Sequence, residues 1–307
     1  MLFRSMIGAT ARSPEEWRAH GQGQWLLQEP VIRITKIADS APEPLKPAAR
    51  PLSGIRVMNM AHVIAGPVVA RTLAEQGADA LRLSSPSLPD PLTQIIETGT
   101  GQRSAYCDLL KPEDQKLARA LAKDADIFVE SWRPGAMDRR GMSVGELAKI
   151  RPGIIYVSVS CYGNGGPWAP RGGFDQIGQT VTGVAVTEGG ADNPRLVPTT
   201  LLNDYITAYL GAAGAMAALV RRAREGGSYH VTVSLCRSAM WVQSLGLVTP
   251  PKVGHLTPKP EDMMIMPGPF GDIERVVPIP VYSETKPYWE FPPQPLGAAK
   301  PEWLPRH

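Results

Sequence analysis

The chain has 307 residues, of which 43% are hydrophobic and 20% are charged, so it can bury a substantial core in one or two domains. Its 32 basic and 29 acidic side chains give a net charge of +3, which provides no case for nucleic-acid binding but leaves room for a local basic patch that binds phosphate. No apolar run reaches the ~20 residues of a membrane span, and residues 1–11 lack the apolar block of a signal peptide.

Residues 1–50 contain a short helix, a strand and a linker. Ser13 and Glu16 form a capping signal that predicts a short amphipathic helix, and VIRITKI at residues 31–37 predicts a strand. A proline-rich linker over residues 42–51 then separates this segment from the rest of the chain.

Residues 51–248 alternate short apolar strands with helical stretches, which predicts an α/β fold with a Rossmann-like parallel sheet and flanking helices. In such a sheet, ligands bind in the loops at the carboxyl ends of the strands. The predicted strands cover residues 54–60, 78–84, 126–130, 154–160 and 229–235, and the predicted helices cover residues 66–77, 112–124, 143–150 and 204–224.

The helix at residues 204–224 is rich in alanine and glycine and ends in arginines. A membrane packing motif is the alternative interpretation, but the run is too short before the arginines, so close packing of the helix against the sheet is favoured. Residues 249–307 are rich in proline and lose periodicity, and we predict an extended tail that wraps over the core.

The three cysteines, Cys107, Cys161 and Cys236, lie in apolar or strand-like stretches without CxxC spacing. We interpret them as buried core thiols, and their odd number fits a reducing cytoplasm. The five histidines show no metal-ligand spacing, so no metal site is predicted.

Neither a G-x-G-x-x-G turn nor a Walker-type loop nor a G-x-S-x-G elbow is present, which argues against the commonest dinucleotide, NTPase and hydrolase sites. Two carboxylates stand out instead: Asp175 follows a glycine-rich loop, and Asp204 stands at a predicted helix start. By position alone Asp204 is a helix N-cap, and the helix dipole there favours the carboxylate, which is also the nucleophilic form. Position does not separate these two roles.

An ordered series of segments resembles the class III CoA-transferases, the CaiB/BaiF family, which also includes formyl-CoA transferase, carnitine CoA-transferase and the α-methylacyl-CoA racemases. The segments cover most of residues 51–245 and 278–304. They are PLSGIRVMNMAHVIAGPVVARTLAEQGADALRL, GQRSAYCDLLKPED, ADIFVESWRPGAMDRRGMS, RPGIIYVSVSCYGNGGPWAPRGGFDQIGQTVTG, LNDYITAYLGAAGAMAALVRRAREGGSYHVTVSL and PIPVYSETKPYWEFPPQPLGAAKPEWL.

The resemblance implies transfer of CoA from an acyl-CoA to a free carboxylic acid through an aspartyl-CoA thioester, with Asp204 as the nucleophile and Asp175 in a supporting role. Coenzyme A and acyl-CoA are then substrates, and no permanently bound cofactor is expected. The residues that the resemblance assigns to CoA binding are His62, Val63, Ile64, Ala65, Arg103, Ser131, Trp132, Arg139 and Arg140. Arginine suits the phosphates of CoA, and Trp132 suits its adenine or pantetheine.

Racemases of the same superfamily pair a histidine with the aspartate, and the matching position here is Phe174. Because a phenyl ring cannot exchange protons, racemisation is disfavoured. His62 is the one candidate for another proton-transfer group.

The chain also departs from the family pattern. The span between residue 245 and the closing tail is too short for the family's small second domain, so we expect that domain to be missing. Residues 12–38 resemble the end of that small domain, as in the second half of a tandem fusion with an upstream portion absent. Ser84 and Gln102 replace residue types that the family favours, which makes a non-catalytic CoA-binding or dimerisation homologue the alternative function. The family also implies an interlocked homodimer.

Overall fold

The computed structural model describes residues 7–199, 201–248 and 257–306. Seven strands form one mixed sheet in the order β1-β7-β6-β5-β2-β3-β4, and a separate hairpin joins β8 to β9. The strands are β1 (Arg33–Ala38), β2 (Arg56–Asn59), β3 (Asp79–Ser84), β4 (Gln102–Tyr106), β5 (Ile127–Glu130), β6 (Ile155–Ser160), β7 (Ser228–Ser234), β8 (Met263–Gly268) and β9 (Gly271–Val276).

Helices cover both faces of the sheet and connect its parallel strands. They are α1 (Pro14–Ala19), α2 (Gly21–Leu27), α3 (Ala65–Glu75), α4 (Leu92–Thr98), α5 (Pro112–Ala122), α6 (Val144–Ile150), α7 (Asp175–Thr182), α8 (Val184–Gly189), α9 (Leu202–Glu225) and α10 (Leu235–Ser244). The predicted α/β class with a parallel sheet and flanking helices is therefore confirmed.

Strands β2 to β7 are parallel, and their order reverses between β2 and β5. This is the doubly wound arrangement, in which a crevice opens at the carboxyl ends of the strands where the order reverses. Strand β1 departs from the parallel pattern because it pairs antiparallel with β7 at the sheet edge.

The amino-terminal segment packs on the same core as the sheet. Ser13 Oγ accepts the Glu16 N–H at 3.1 Å and Glu16 Oε2 accepts the Ser13 N–H at 2.7 Å, which confirms the predicted capping box. Trp17, one turn later, is fully buried.

Helix α9 lies close to the sheet because two of its positions have no side chain. A Cβ on Gly211 would lie 3.0 Å from Val69 of α3 and 3.4 Å from Val233 of β7, and one on Gly214 would lie 2.6 Å from Val231 of β7. The predicted close helix–sheet packing is confirmed. Within the described ranges, no helix has both the length and the apolar character that a membrane span requires.

The carboxyl-terminal segment covers the β4 edge of the sheet. Ala299 N–H donates to Ser104 O at 2.7 Å and Gly101 N–H donates to Phe291 O at 2.8 Å. Residues 277–306 contain no helix or strand, whereas residues 263–276 form a β8–β9 hairpin that the proline content did not predict. Residues 1–6, 249–256 and 307 of the predicted terminal segments lie outside the described residues.

Candidate active site

A cavity of about 230 Å³ opens where the carboxyl ends of β2, β5 and β6 meet. Loops that follow parallel strands form most of its wall, as the reversal of strand order between β2 and β5 requires. The lining residues are Ile7, residues 62–65, 131–134, 159–161 and 171–174, Asp204 and Leu235. Six of the nine residues that the family resemblance assigned to CoA thus share one cavity with Asp204.

Asp204 enters the cavity from the first turn of α9. Leu201 is the N-cap and Asp204 is the third residue of the helix, so the prediction that Asp204 caps the helix is wrong. The error is one of register: the helix begins at Leu202, and the carboxylate lies inside its first turn rather than before it.

Asp175 accepts a hydrogen bond from the Asp204 backbone and does not itself line the cavity. Its Oδ2 accepts the backbone N–H of Asp204 at 2.9 Å, and its Oδ1 accepts the Gln179 side-chain amide. Gln179 in turn accepts the Val197 N–H at 3.0 Å. Asp175 is fully buried, whereas Asp204 retains 7% exposure and is a lining residue of the cavity.

Burial raises the proton affinity of both carboxyl groups. Burial, and then the nearby charge of Asp175, raises the pKa of Asp204 to about 8. Burial also raises the pKa of Asp175, although the hydrogen bonds it accepts oppose that rise. The helix dipole was expected to favour an ionised Asp204, but desolvation outweighs it, because a dipole contributes only ~0.3–1 kcal/mol at most exposed sites.

The loop after β2 is tied to the loop after β5. Ser131 Oγ accepts the His62 N–H at 2.9 Å and donates to His62 O at 3.0 Å, and Trp132 Nε1 donates to Met60 O at 2.7 Å. The rings of His62 and Trp132 lie 5.4 Å apart. These contacts fix an aromatic wall on one side of the cavity.

Helix α3 begins at this wall with its N-terminus toward the cavity. Its N-cap, Ile64, provides no side-chain acceptor. Gly66 permits the close approach, because a Cβ there would lie 2.3 Å from that of Ala61. An uncapped helix N-terminus favours anionic groups such as phosphate or carboxylate.

A second cavity of about 100 Å³ adjoins the first and shares His62 and Trp132 with it. Arg140 lines this second cavity, as does Ser84. Arg139 is exposed beside it and lines neither cavity.

The guanidinium of Arg103 lies at the opposite end of the sheet, so the structure does not bring this predicted CoA-binding residue to the cavity. Its guanidinium pairs with Asp79 at 3.0 Å and donates to Glu302 O at 2.9 Å. Gln102, next to it, accepts from the Asn59 side chain at 2.8 Å and is buried. Gln102 therefore anchors the end of β2 and lines neither of the two cavities.

Two arginines of the cavity were not singled out from the sequence. Arg133 follows Trp132 directly, and Arg171 begins the glycine-rich loop before Asp175. In the described part of the chain neither has a carboxylate within ion-pair distance, and Arg171 lies over the Trp168 ring at 4.3 Å. Arg133 lies in the loop that follows β5 and Arg171 in the loop that follows β6, and a place in such loops was the available signal.

Glu130, at the carboxyl end of β5, was also missed. Its Oε2 accepts the Trp132 N–H at 2.7 Å, and burial raises the pKa of Glu130 to about 7. Phe174 stands half-exposed in the cavity wall, at the position where the racemase pattern has histidine. The three cysteines are buried, as predicted.

The sequence is similar to those of known proteins. Residues 52–266 match the profile of CoA-transferase family III. The chain is 37% identical, over 64% of its length, to acetyl-coenzyme A transferase nodX of Hypoxylon pulicicidum, 34% of which is covered. It is 33% identical, over 61% of its length, to the beta subunit of succinyl-CoA–L-malate CoA-transferase of Chloroflexus aurantiacus, with 50% of that subunit covered.

A solved structure shows the same fold. The crystal structure of a CAIB/BAIF family protein from Brucella suis gives a TM-score of 0.56 at 26% identity, covering 73% of this chain and 65% of that one. The chain spans between a third and about half of the length of these two sequence relatives.

Proposed function

The chain belongs to CoA-transferase family III, and from that premise we propose that it moves CoA from an acyl-CoA to a free carboxylic acid through an aspartyl-CoA thioester on Asp204. The observation that carries the proposal is that Asp204 lines one cavity together with His62, Trp132 and the N-terminus of α3. A nucleophilic carboxylate and a surface suited to a phosphorylated ligand thus face the same space.

The reaction begins with the carboxylate of Asp204 attacking the thioester carbonyl of the donor. The C–S bond breaks, CoA leaves as a thiolate, and a mixed anhydride of Asp204 and the donor acid forms. The thiolate then attacks the Asp204 carbonyl, which releases the donor acid as a carboxylate and leaves the aspartyl-CoA thioester.

The second half repeats these steps with the acceptor. Its carboxylate attacks the aspartyl thioester, again releasing CoA thiolate and forming an anhydride. Attack of the thiolate on the acceptor carbonyl yields the new acyl-CoA and restores the Asp204 carboxylate. Gly172 and Gly173 line the cavity, and their backbone N–H groups are the candidate donors to the oxyanions.

Asp175 acts in this scheme as a positioning residue. By accepting the Asp204 N–H it fixes the first turn of α9, and its charge makes the Asp204 carboxylate more basic. A carboxylate of higher pKa is a stronger nucleophile once ionised. Asp175 therefore lowers the fraction of Asp204 that is ionised but makes the ionised carboxylate more reactive.

CoA is held by the two adjoining cavities. The α3 N-terminus and Arg140 suit its phosphates, and the Trp132 ring offers a face for the adenine or pantetheine. Arg133 and Arg171 are cations without carboxylate partners in the described structure, and they suit the carboxylate of an acid substrate.

The family resemblance further suggests a homodimer. Several apolar side chains that follow α10 in sequence are largely exposed, including Val248 at 87% and Val281 at 93%. We propose that a second copy covers them, as burial of exposed apolar area stabilises such an assembly.

The function is tested by incubating the chain with an acyl-CoA donor and a panel of free acids, and by following new acyl-CoA species by mass spectrometry. We expect a new acyl-CoA with the wild type and at least about a thousandfold less with Asp204→Asn, which keeps the size of the side chain but removes the nucleophile. CoA binding without transfer by the wild type would instead favour the non-catalytic homologue. Inversion at the α-carbon of a branched acyl-CoA would favour the racemase.

A further inference from the structure

The loop after β2 contains a strained residue. Across residues 7–199, 201–248 and 257–306, Val63 is the one non-glycine residue with positive φ, at 69°. A β-branched residue in this region is a conformational outlier that persists only where neighbouring groups hold it. In sequence Val63 stands between His62 and Ile64, the N-cap of α3, and all three residues line the cavity.

Asp90 holds this residue. Its Oδ1 accepts the Val63 N–H at 2.9 Å and also lies 2.9 Å from His62 Nε2. The segment between β3 and α4 carries Asp90, so these contacts join the loop after β2 to the neighbouring strand connection. Asp90 Oδ1 thus contacts both the strained backbone at Val63 and the His62 ring.

The other oxygen of Asp90 is held by Arg82. The guanidinium of Arg82 donates to Asp90 Oδ2 and, at 3.3 Å, to Thr98 Oγ1. The side chains of Arg82 and Asp90 are only 2% and 3% exposed. Burial opposes ionisation of Asp90, but the contacts from His62, Arg82 and the Val63 amide outweigh burial and lower the pKa of Asp90.

We propose that Asp90 is a positioning residue for CoA binding, which holds Val63 in its strained conformation and His62 beside Trp132 before substrate arrives. The inference rests on the proposed function, because it assigns the loop of residues 61–64 to CoA. Preorganisation of this kind raises affinity because the loop is not ordered at the expense of binding.

A similar ion pair at the other end of β3 provides a comparison. Asp79 accepts from Arg103 at 3.0 and 3.2 Å, and it also accepts the Leu304 N–H. This pair fastens the carboxyl-terminal segment and has no contact with the cavity loop. Loss of either pair removes a largely buried carboxylate, but only loss of Asp90 releases Val63 and His62.

The test compares Asp90→Asn with Asp79→Asn in the full chain. An amide has one acceptor oxygen where a carboxylate has two, so an asparagine at this position cannot serve both Val63 and Arg82. We expect Asp90→Asn to raise the dissociation constant of CoA by about tenfold in calorimetric titration. Hydrogen exchange of peptides spanning residues 60–66 is expected to accelerate in the ligand-free chain, and Asp79→Asn is expected to change neither quantity.

Two results would overturn the proposal. Unchanged exchange of residues 60–66 in Asp90→Asn would show that Asp90 does not hold the loop, whatever the chain binds. Accelerated exchange with unchanged CoA affinity would show that the held loop does not serve CoA. If the wild type binds no CoA, both the proposed function and the role of Asp90 in CoA binding are refuted. Hydrogen exchange of residues 60–66 would still decide whether Asp90 restrains Val63.

Discussion

At the scale of single residues, the central feature is a pair of buried carboxyl groups in different surroundings. Asp204 lines the cavity, while Asp175 is fully buried and bonds the Asp204 backbone. The same burial that shapes the site keeps Asp204 protonated up to about pH 8. The Asp204 carboxylate that the proposed function requires is therefore a minor species at neutral pH, and its population increases as the pH rises.

This protonation predicts a pH dependence. Formation of the covalent intermediate should accelerate as the pH rises toward about 8, where Asp204 ionises. Replacing Asp175 by Asn removes the charge that opposes this ionisation, so the pH profile should move to lower pH. Burial should still keep the pKa of Asp204 above that of a free aspartate. Single-turnover rates across the pH range measure the shift.

The control is Glu188→Gln, which removes an exposed negative charge on α8 and should leave the profile in place. A profile that moves equally in both variants would show that general charge, rather than Asp175, sets the ionisation of Asp204.

Much of the candidate site was predictable at the residue scale. The order of matched segments identified Asp204, Asp175, His62 and Trp132, and the structure brings Asp204, His62 and Trp132 to the cavity with Asp175 directly behind Asp204. The environment of Arg103 was not predictable, because its guanidinium pairs with Asp79 of the neighbouring strand and also donates to Glu302, which is 199 residues away in sequence. The role of Asp90 likewise depends on a backbone conformation at Val63 that a sequence pattern does not show.

At the scale of elements, α9 determines where Asp204 lies. The helix can approach β6 and β7 because glycine occupies its contact face at positions 211 and 214. Its apolar and small residues were recognised from sequence, but its start was placed two residues late. The elements that were not predicted are α2, α4, α7, α8, α10, β4 and the β8–β9 hairpin. Strand β4 reads QRSAY, a polar pattern that becomes buried only when the carboxyl-terminal segment covers it.

The close approach of α9 predicts the effect of a larger side chain. A Cβ at position 214 would lie 2.6 Å from Val231 Cγ1 and 2.8 Å from Ile32 Cγ2, so Gly214→Val should lower the free energy of unfolding by about 2 kcal/mol or more. Ala213→Val places the same side chain on the exposed face of α9 and should cost less than about 1 kcal/mol, which is the helix-propensity term. Urea denaturation measures both, and equal losses would contradict the packing account.

At the scale of the whole molecule, distant segments meet at one buried carboxylate at the end of the sheet opposite the cavity. Asp126 accepts from Arg222 of α9 at 3.1 Å, from Arg151 at 3.3 Å and from Arg306 near the carboxyl terminus at 3.0 Å. The parallel sheet itself was predictable from local strand and helix alternation. The antiparallel β1 edge and this junction were not, because both join segments that local patterns cannot pair.

The proposed function requires that Asp204 carries CoA as a thioester. Intact-protein mass spectrometry after mixing the chain with a panel of acyl-CoAs measures this most directly, with Asp204→Asn as the matched control. We expect the wild type to show a CoA-sized mass increase that hydroxylamine removes and that the variant lacks. The same adduct on the variant, or no adduct on a wild type that exchanges CoA between acids, would contradict it.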